Sequence, residues 1–411
     1  SAFIDTHHPW SFDLDIFGEG SLFQYISRSK TPGGKQKLAS LLQEIPGDAD
    51  QVVKRQDVNR ELCGKIDFRQ LFTAHASLMD TGTENTEALL RWAKEKIYIR
   101  KQRWLFYAAL LMSGISITVI ILSILNSANW NYILLILLVN WSLLAPFIAR
   151  TNREQAHVSK KHDFLKTYSV LLQLIQNESF ENIRMNEIRR ITSDGSRAIR
   201  RLSALLNIFD HRLNLVIGVA FNSLFMFDFI VLHFIGIWKE KYGDQLAGWI
   251  SAVSETEACV SLAGFSFNHP GAAYPHLDIG SNALKAADLG HPLIPDAKRV
   301  DNSIETDHHK VVFITGANMA GKSTFLRSVG ISFVLMYAGC PVVAKEFHTD
   351  FFRLFSSMRT SDSLKDEESY FLAEIKRLKL IVDRMQQGEK MLILLDEVEK
   401  AHLEVMNLFY Q

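Results

Sequence analysis

The most constraining feature of this sequence is a long stretch without a charged residue, from Trp104 to Ala149. Two apolar runs lie within it, Trp104–Leu125 and Tyr132–Ile148, and the polar segment Asn126–Asn131 separates them. Because a helix rises about 1.5 Å per residue, the first run is about 33 Å long and can cross a hydrocarbon core of ~30 Å. The second run is near the lower length limit for a span. The pattern predicts a transmembrane helical hairpin.

Residues at the borders of this stretch predict its orientation. Basic residues flank it on both sides: Arg100, Lys101, Arg103, Arg150 and Arg153. Aromatic residues that suit a membrane–water boundary occur within it: Trp104, Tyr107, Trp130, Tyr132 and Trp141. By the positive-inside rule both ends are cytoplasmic and the turn faces outward. The alternative is a buried hairpin in a soluble protein, which would usually carry a polar stripe that neither run has.

A second motif predicts a nucleotide site. Val311–Thr315 has the β-branched pattern of a buried parallel strand, and a helix is expected over Thr324–Ala338. Between them lies a match to G-x-x-x-x-G-K-[ST], the P-loop, in the strand-to-helix context that it requires. The predicted nucleotide-binding residues are Gly316, Ala317, Asn318, Met319, Ala320, Gly321, Lys322, Ser323 and Thr324.

Each part of the P-loop has a chemical role for ATP and Mg²⁺. The glycines let backbone N–H groups surround the β-phosphate, and the helix N-terminus adds partial positive charge. Lys322 is expected to reach the β- and γ-phosphates, and Ser323 to ligate Mg²⁺. The apolar strand Met391–Leu395 ends in Asp396, a second predicted magnesium ligand, and in Glu397, the predicted general base. These residues predict an ATPase.

Composition limits the other function classes. Lys+Arg and Asp+Glu are both 45, so the formal net charge is zero and nucleic acid would have to meet a local basic patch. One such cluster lies between Arg184 and Arg201, and a solvated helix face explains it better than phosphate contact. The three cysteines are widely spaced, which suits reduced thiols in a cytoplasmic setting. No signal peptide is apparent at the start.

The remaining segments predict a mostly helical chain. Helices are expected over Lys35–Gln43 and from Asp48 to Cys63. Leu213–Trp238 is apolar but contains Asn222, Asp228 and His233, which favours a long helix between protein layers over a third span. Proline and glycine become frequent after Gly264, where the order of elements turns to α/β.

With these motifs the chain resembles the MutS family of DNA mismatch-repair ATPases, most closely its shorter, membrane-associated branch. Residues 315–324, TGANMAGKST, resemble that family's T-G-x-N-M-x-G-K-S-T, in which Asn318 and Met319 are distinctive. The resemblance extends to further segments: Leu289–Leu293, Ser369–Phe371 with Glu374, Phe23–Tyr25, Thr31–Gly34 and Arg55–Gln56. It covers roughly residues 10–397.

The resemblance implies a multidomain, mostly α-helical core and lever region followed by an α/β, ABC-type P-loop domain. The implied division is a first core part at 1–95, the hairpin at 96–153, a second lever part at 154–263 and an apparently truncated ATPase domain at 264–411. It also implies a homodimer through the ATPase heads, in which Ser369 of one subunit faces the γ-phosphate held by Lys322 of the other. DNA is an implied partner, and the hairpin adds the lipid bilayer of the cytoplasmic membrane.

The sequence also departs from the family pattern. No mismatch-reading domain precedes the core, the hairpin interrupts it, and Val398–Gln411 is similar to the segment that follows the second acidic motif in Clp-type AAA+ proteins. Binding of ATP is therefore a firmer expectation than its hydrolysis. Three hypotheses remain: a membrane-anchored MutS-like ATPase that acts on DNA, an ABC-type membrane ATPase without a DNA role, and an AAA+-like ATPase.

Overall fold

A computed structural model describes residues 2–79, 86–125, 127–159, 161–306, 311–317, 320–358, 379, 381, 383–384 and 386–396. The described chain is mostly helical with some sheet. Its residues group into two units, one of Ser1–Ser29, Gly34–Arg69 and Glu255–Gln411, and one of Lys30–Gly33 and Gln70–Ser254. These groupings are not contiguous in sequence, and the division into four domains stays a prediction.

Sixteen α-helices are defined in the described residues. They are α1 Leu22–Ile26, α2 Pro32–Gln43, α3 Ala49–Gly64, α4 Ile66–Ser77, α5 Thr86–Lys94, α6 Tyr98–Lys101, α7 Trp104–Ile124, α8 Asn131–Leu144, α9 Ile148–Val158, α10 His162–Asn177, α11 Ile183–Ile191, α12 Gly195–Asp210, α13 Leu215–Phe225, α14 Phe227–Tyr242, α15 Leu246–Asn268 and α16 Lys322–Tyr337. Short 3₁₀ turns lie at Ala145–Phe147 and His211–Leu213. The predicted helices before residue 64 are confirmed by α2 and α3, and Asp48 caps α3 by accepting from the Gln51 backbone N–H.

Six strands form two sheets in the described residues of the first unit. They are β1 His276–Leu277, β2 Leu284–Leu289, β3 Asn302–Glu305, β4 Glu346–Thr349, β5 Arg353–Ser357 and β6 Met391–Leu395. The larger sheet has the order β1-β4-β2-β3, in which β1 and β4 are parallel and β2 is antiparallel to both neighbours. The smaller sheet pairs β5 with β6 in parallel, with Arg353 opposite Met391 and Ser357 opposite Leu395.

The core of the first unit joins residues from both ends of the sequence. Leu14 and Ile16, near the start, are fully buried with Val334 of α16, Phe347 of β4 and Leu394 of β6 in one apolar cluster. Hydrogen bonds support this packing, since the Ser356 hydroxyl of β5 donates to the buried Asp13 carboxylate at 2.8 Å. The amino-terminal segment is therefore part of the same core as the strands and helix near the P-loop.

The second unit is helical. Helix α12 packs against α10 and α14, and the Trp238 indole N–H of α14 donates to the Ala198 carbonyl at 2.7 Å. The single long helix expected over Leu213–Trp238 is wrong. Met226 adopts a left-handed conformation, with φ 49°, and separates α13 from α14.

Candidate nucleotide-binding site

The direction of α16 across the small sheet follows from its contacts. At its carboxyl end, the Tyr337 hydroxyl donates a 2.7 Å hydrogen bond to the carbonyl of Phe352, directly before β5. About 10 Å back along the helix is Gly330. A Cβ atom there would lie 3.0 Å from a Leu394 methyl near the carboxyl end of β6. The helix therefore runs antiparallel to β5 and β6.

This direction brings the start of α16 to the carboxyl edge of the sheet. Lys322 is a further ~12 Å beyond Gly330 along the helix, past the level of Leu394. Asp396 follows β6 at the same edge, and its backbone N–H donates to the Ser357 carbonyl at 3.1 Å. Ligands of open α/β sheets bind at this edge. The arrangement is compatible with a shared phosphate and magnesium site.

The described part of the P-loop has a geometry that suits phosphate. Gly321 has φ +88°, a left-handed conformation that favours glycine, and it directly precedes α16. The Lys322 ammonium donates to the carbonyl oxygens of Gly316 at 2.7 Å and Ala317 at 3.1 Å. Ala320, Ser323 and Thr324 are exposed. The ammonium thus bonds two carbonyl oxygen atoms of the loop that precedes it.

Four of the predicted site residues lie outside the described residues. They are Asn318, Met319, Ser369 and Glu397. The roles assigned to them, and those assigned to Lys322, Ser323 and Asp396, stay predictions.

The strand expected over Val311–Thr315 is not formed. Residues 311–317 have no secondary structure, and Val311, Val312 and Phe313 are exposed. A strand requires hydrogen bonds to a neighbour, and among the described residues β6 pairs with β5 alone. The β-branched composition of the segment favours a strand, but composition cannot supply the neighbouring edge.

The carboxyl end of α16 is held by a contact with α3, and the sequence does not indicate this contact. The Arg55 guanidinium donates to the Tyr337 carbonyl at 2.7 Å, so a cation meets the negative end of the helix. Burial lowers the pKa of Arg55, although nearby Glu44 acts against this. Gly339, with φ +81°, ends the helix, and its N–H donates to the Met336 carbonyl at 2.9 Å.

His291, in the segment that resembles the family loop ahead of the ATPase strand, has a lowered pKa. Burial lowers the pKa of its imidazole, and the positive charge of Arg327 on α16 acts in the same direction. Asp15 opposes both effects, and its carboxylate pairs with Arg327 at 3.1 Å. The P-loop helix is thereby linked to the amino-terminal segment through an ion pair.

The second unit contains the two apolar helices that the sequence predicts. Trp104–Ile124 and Asn131–Val158 are long and apolar enough to cross a membrane, and 17% of each apolar window is buried. Most of their large apolar side chains are exposed or partly exposed, although Leu105, Ile136 and Leu144 are buried. Those that are exposed are Trp104, Tyr107, Leu110, Leu111, Ile115, Ile117, Ile121, Leu122, Ile124, Tyr132, Leu134, Leu135 and Leu138.

Three side chains of these helices that carry hydrogen-bond donors contact α13. The Asn140 amide donates to the Ser223 carbonyl at 2.7 Å, and the Trp141 indole donates to the Ser223 hydroxyl at 2.8 Å. The Ser113 hydroxyl of α7 bonds the Phe225 carbonyl at 2.9 Å. Helix α13 is itself exposed and apolar, with Val216 77% exposed. Apolar surface outside and polar contacts inside are typical of helices that pack in lipid.

The arginine cluster of the second unit lies on α11 and α12. Its members are exposed: Arg184, Arg189, Arg190, Arg197, Arg200 and Arg201. Several have local partners, such as Arg184, which pairs with Glu187 at 3.0 Å, and Arg200, which donates to the side-chain amide oxygen of Gln173 at 2.6 Å. These contacts suit the predicted solvated helix face.

Comparisons with known proteins agree with the resemblance at the carboxyl-terminal end. Residues 312–402 match the family "MutS domain V". Proteins named DNA mismatch repair protein MutS are similar to this chain: 34% identity for Caulobacter vibrioides, over 38% of this chain and 16% of that protein, and 32% for Haloquadratum walsbyi, over 38% and 17%. The relative from Thermus aquaticus is 38% identical over 27% of this chain and 14% of its own length. The alignments span less than a fifth of these relatives.

Proposed function

We propose that this chain, which carries a MutS-type domain V at residues 312–402, is a membrane-anchored ATPase of the MutS kind. The sequence-based identification of the MutS family is confirmed by that match and by the MutS-named relatives, over about two fifths of the chain. MutS-family proteins are ATPases that bind DNA. The further proposals for this chain are Mg²⁺-ATP binding, dimerisation through the heads, and anchoring by α7 and α8.

The nucleotide site is supported by one observation above all. Lys322 and Asp396, which are far apart in sequence, lie at the same edge of the β5–β6 sheet because α16 crosses it antiparallel. In the proposed site Lys322 would bind phosphate oxygens in place of the loop carbonyls, and Ser323 and Asp396 would hold Mg²⁺. Bound Mg²⁺ neutralises phosphate charge. Glu397 would orient and deprotonate the attacking water.

Dimerisation is proposed from the resemblance around Ser369. The γ-phosphate held by one head would meet the Ser369 of the second head, so ATP would favour the closed dimer by binding it more tightly than the open form. Movement of the helical levers would follow head closure.

Membrane anchoring is supported by the distribution of side chains on α7, α8 and α13. Transfer from water to an apolar medium favours each Leu, Ile, Val or Phe side chain by roughly 1.5–3 kcal/mol, and more than a dozen such side chains are exposed on these helices. We propose that α7 and α8 span the cytoplasmic membrane and that α13 lies in the bilayer beside them.

Nucleotide binding is tested with Lys322→Ala. Calorimetric titration with ATP and Mg²⁺ should show binding by the wild type and none by the variant, because the main phosphate cation is removed. Lys298→Ala, at an exposed lysine of the same unit, is the matched control and should bind as the wild type does. Equal affinity of the Lys322→Ala variant would refute the P-loop assignment.

Anchoring is tested by topology. In a cysteine-free background, Asn129→Cys in the α7–α8 turn should react with a membrane-impermeant maleimide added outside intact cells. Asp194→Cys, before α12, should react after lysis alone. Reaction of both cysteines in intact cells, or release of the protein by alkaline extraction of the membranes, would exclude the proposed hairpin.

A DNA role is proposed because the similar proteins are named for DNA mismatch repair. The competing hypothesis is an ABC-type membrane ATPase without a DNA role. It is consistent with the formal net charge of zero, which gives the chain as a whole no attraction to nucleic acid. Binding to homoduplex, mismatched and branched DNA at several salt concentrations, with and without ATP, separates the two. Affinity that falls with salt and changes with ATP supports a DNA role, and no binding at low salt excludes it.

A further inference from the structure

Two histidines and an aspartate come together at one edge of the four-stranded sheet, away from the predicted P-loop residues in sequence. His276 lies on β1, His348 lies on β4, and the two are direct partners in the parallel pair. Their ring centroids are 5.2 Å apart. Asp278 directly follows β1, two residues after His276, so its side chain is on the same side of the chain as the imidazole.

The carboxylate of Asp278 lies between the two rings. Its Oδ1 is 2.7 Å from Nδ1 of His276, and its Oδ2 is 3.2 Å from Nδ1 of His348. One donor atom from each residue lies within 4.8 Å of the others. The Asp278 backbone N–H donates to the Thr349 carbonyl at 2.8 Å, which fixes the position of the carboxylate relative to β4.

The surroundings favour a cation with some water around it. A cavity of about 320 Å³ is lined by Asp278, His348, Glu305, Glu346 and Lys285 among others. Lys285 is the one cation of this set, and its ammonium is 3.4 Å from the Glu305 carboxylate. Glu346 is two residues before His348 on β4 and so faces the same side of the sheet. Acidic groups therefore outnumber basic ones beside the cluster.

We propose that His276, Asp278 and His348 bind a divalent first-row transition metal such as Zn²⁺. Two imidazoles and one carboxylate, with water in the remaining positions, form a common ligand set for such ions and differ from the all-oxygen set that Mg²⁺ prefers. A neutral imidazole binds through Nδ1 once its proton is on Nε2, so no net deprotonation is needed. The ion would join β1, which has two residues, to β4 at the sheet edge.

The test is a titration of the full-length protein with ZnCl₂ in detergent, with millimolar MgCl₂ present to occupy oxygen sites. Isothermal calorimetry should give one site with an affinity in the micromolar range or tighter. Asp278→Asn and His276→Gln should each weaken it by more than about 100-fold, since even outer partners of a metal contribute 10–100-fold. His7→Ala, at an exposed histidine of the same unit, is the control and should not change the affinity.

A spectroscopic measurement accompanies the calorimetry. Addition of CoCl₂ should produce a visible absorption band in the wild type and in His7→Ala, but not in Asp278→Asn. Circular dichroism of each variant establishes that it is folded, and His276→Gln, at an exposed position, provides a variant whose fold does not depend on the side chain. Wild-type protein that takes up no zinc, or equal affinity in wild type and His276→Gln, would overturn the proposal.

Discussion

Gly339 ends the P-loop helix at a place where no larger residue fits, and its substitution gives a measurable prediction. Gly339 has φ +81°, a backbone conformation that would strain an alanine by about 1–2 kcal/mol. Its Cβ would also lie 2.5 Å from the Arg55 backbone carbonyl carbon and 2.5 Å from the Arg55 Cβ. Backbone atoms of α3 cannot move without displacing the helix, and such overpacking adds about 1–3 kcal/mol. We expect Gly339→Ala to lower the free energy of unfolding by about 2–5 kcal/mol.

Gly20→Ala is the matched control for this substitution. Gly20 has φ +68°, but a Cβ there would meet nothing within 4 Å, so the backbone strain of about 1–2 kcal/mol acts alone. Urea unfolding in detergent, followed by circular dichroism, gives both values from the shift in midpoint at a common slope. If Gly339→Ala were no more destabilising than Gly20→Ala, the close approach of α3 to the end of α16 would be wrong.

Three further predictions concern the first unit. We expect His291→Gln to flatten the dependence of stability on pH below pH 6.5. Because the pKa of His291 is lowered in the folded state, the unfolded state binds more protons in this range. Wild-type stability should therefore fall as the pH falls towards the folded pKa, by at most about 1.4 kcal/mol per pH unit. Ser356→Ala should destabilise the protein by about 1–3 kcal/mol in urea unfolding, because the buried Asp13 carboxylate loses a donor, and an unchanged midpoint would contradict this. Cys340 is buried and its thiol pKa is raised by desolvation, so mass spectrometry after brief iodoacetamide treatment should find alkylation at the half-buried Cys63 and not at Cys340.

The elements with a strong local pattern could be predicted from the sequence. The uncharged runs predict the helices α7 and α8, because a long apolar run is a local pattern that needs no knowledge of the tertiary structure. The helix after the P-loop is confirmed as α16, with its start two residues earlier than expected. The predicted strand Met391–Leu395 is confirmed as β6.

Other features depend on contacts between distant residues and could not be predicted in this way. The break at Met226 has no proline or glycine to indicate it, although its effect is to turn one apolar run into two helices. The strand expected over Val311–Thr315 lacked a neighbouring edge. The contacts of Tyr337 and Gly330 show the direction of α16. This direction places Lys322 and Asp396 at one edge of the β5–β6 sheet.

The burial of Leu14 in the same core cluster as Leu394 has a consequence for biosynthesis. A ribosome adds about 5–20 residues per second, so the first of these side chains would wait on the order of 20–80 s for the second. During that time the helices of the second unit are synthesised, while the amino-terminal segment lacks its core partners from α16, β4 and β6. We expect the core of the first unit to close only after β6 has left the ribosome, so that its assembly follows the synthesis of the second unit.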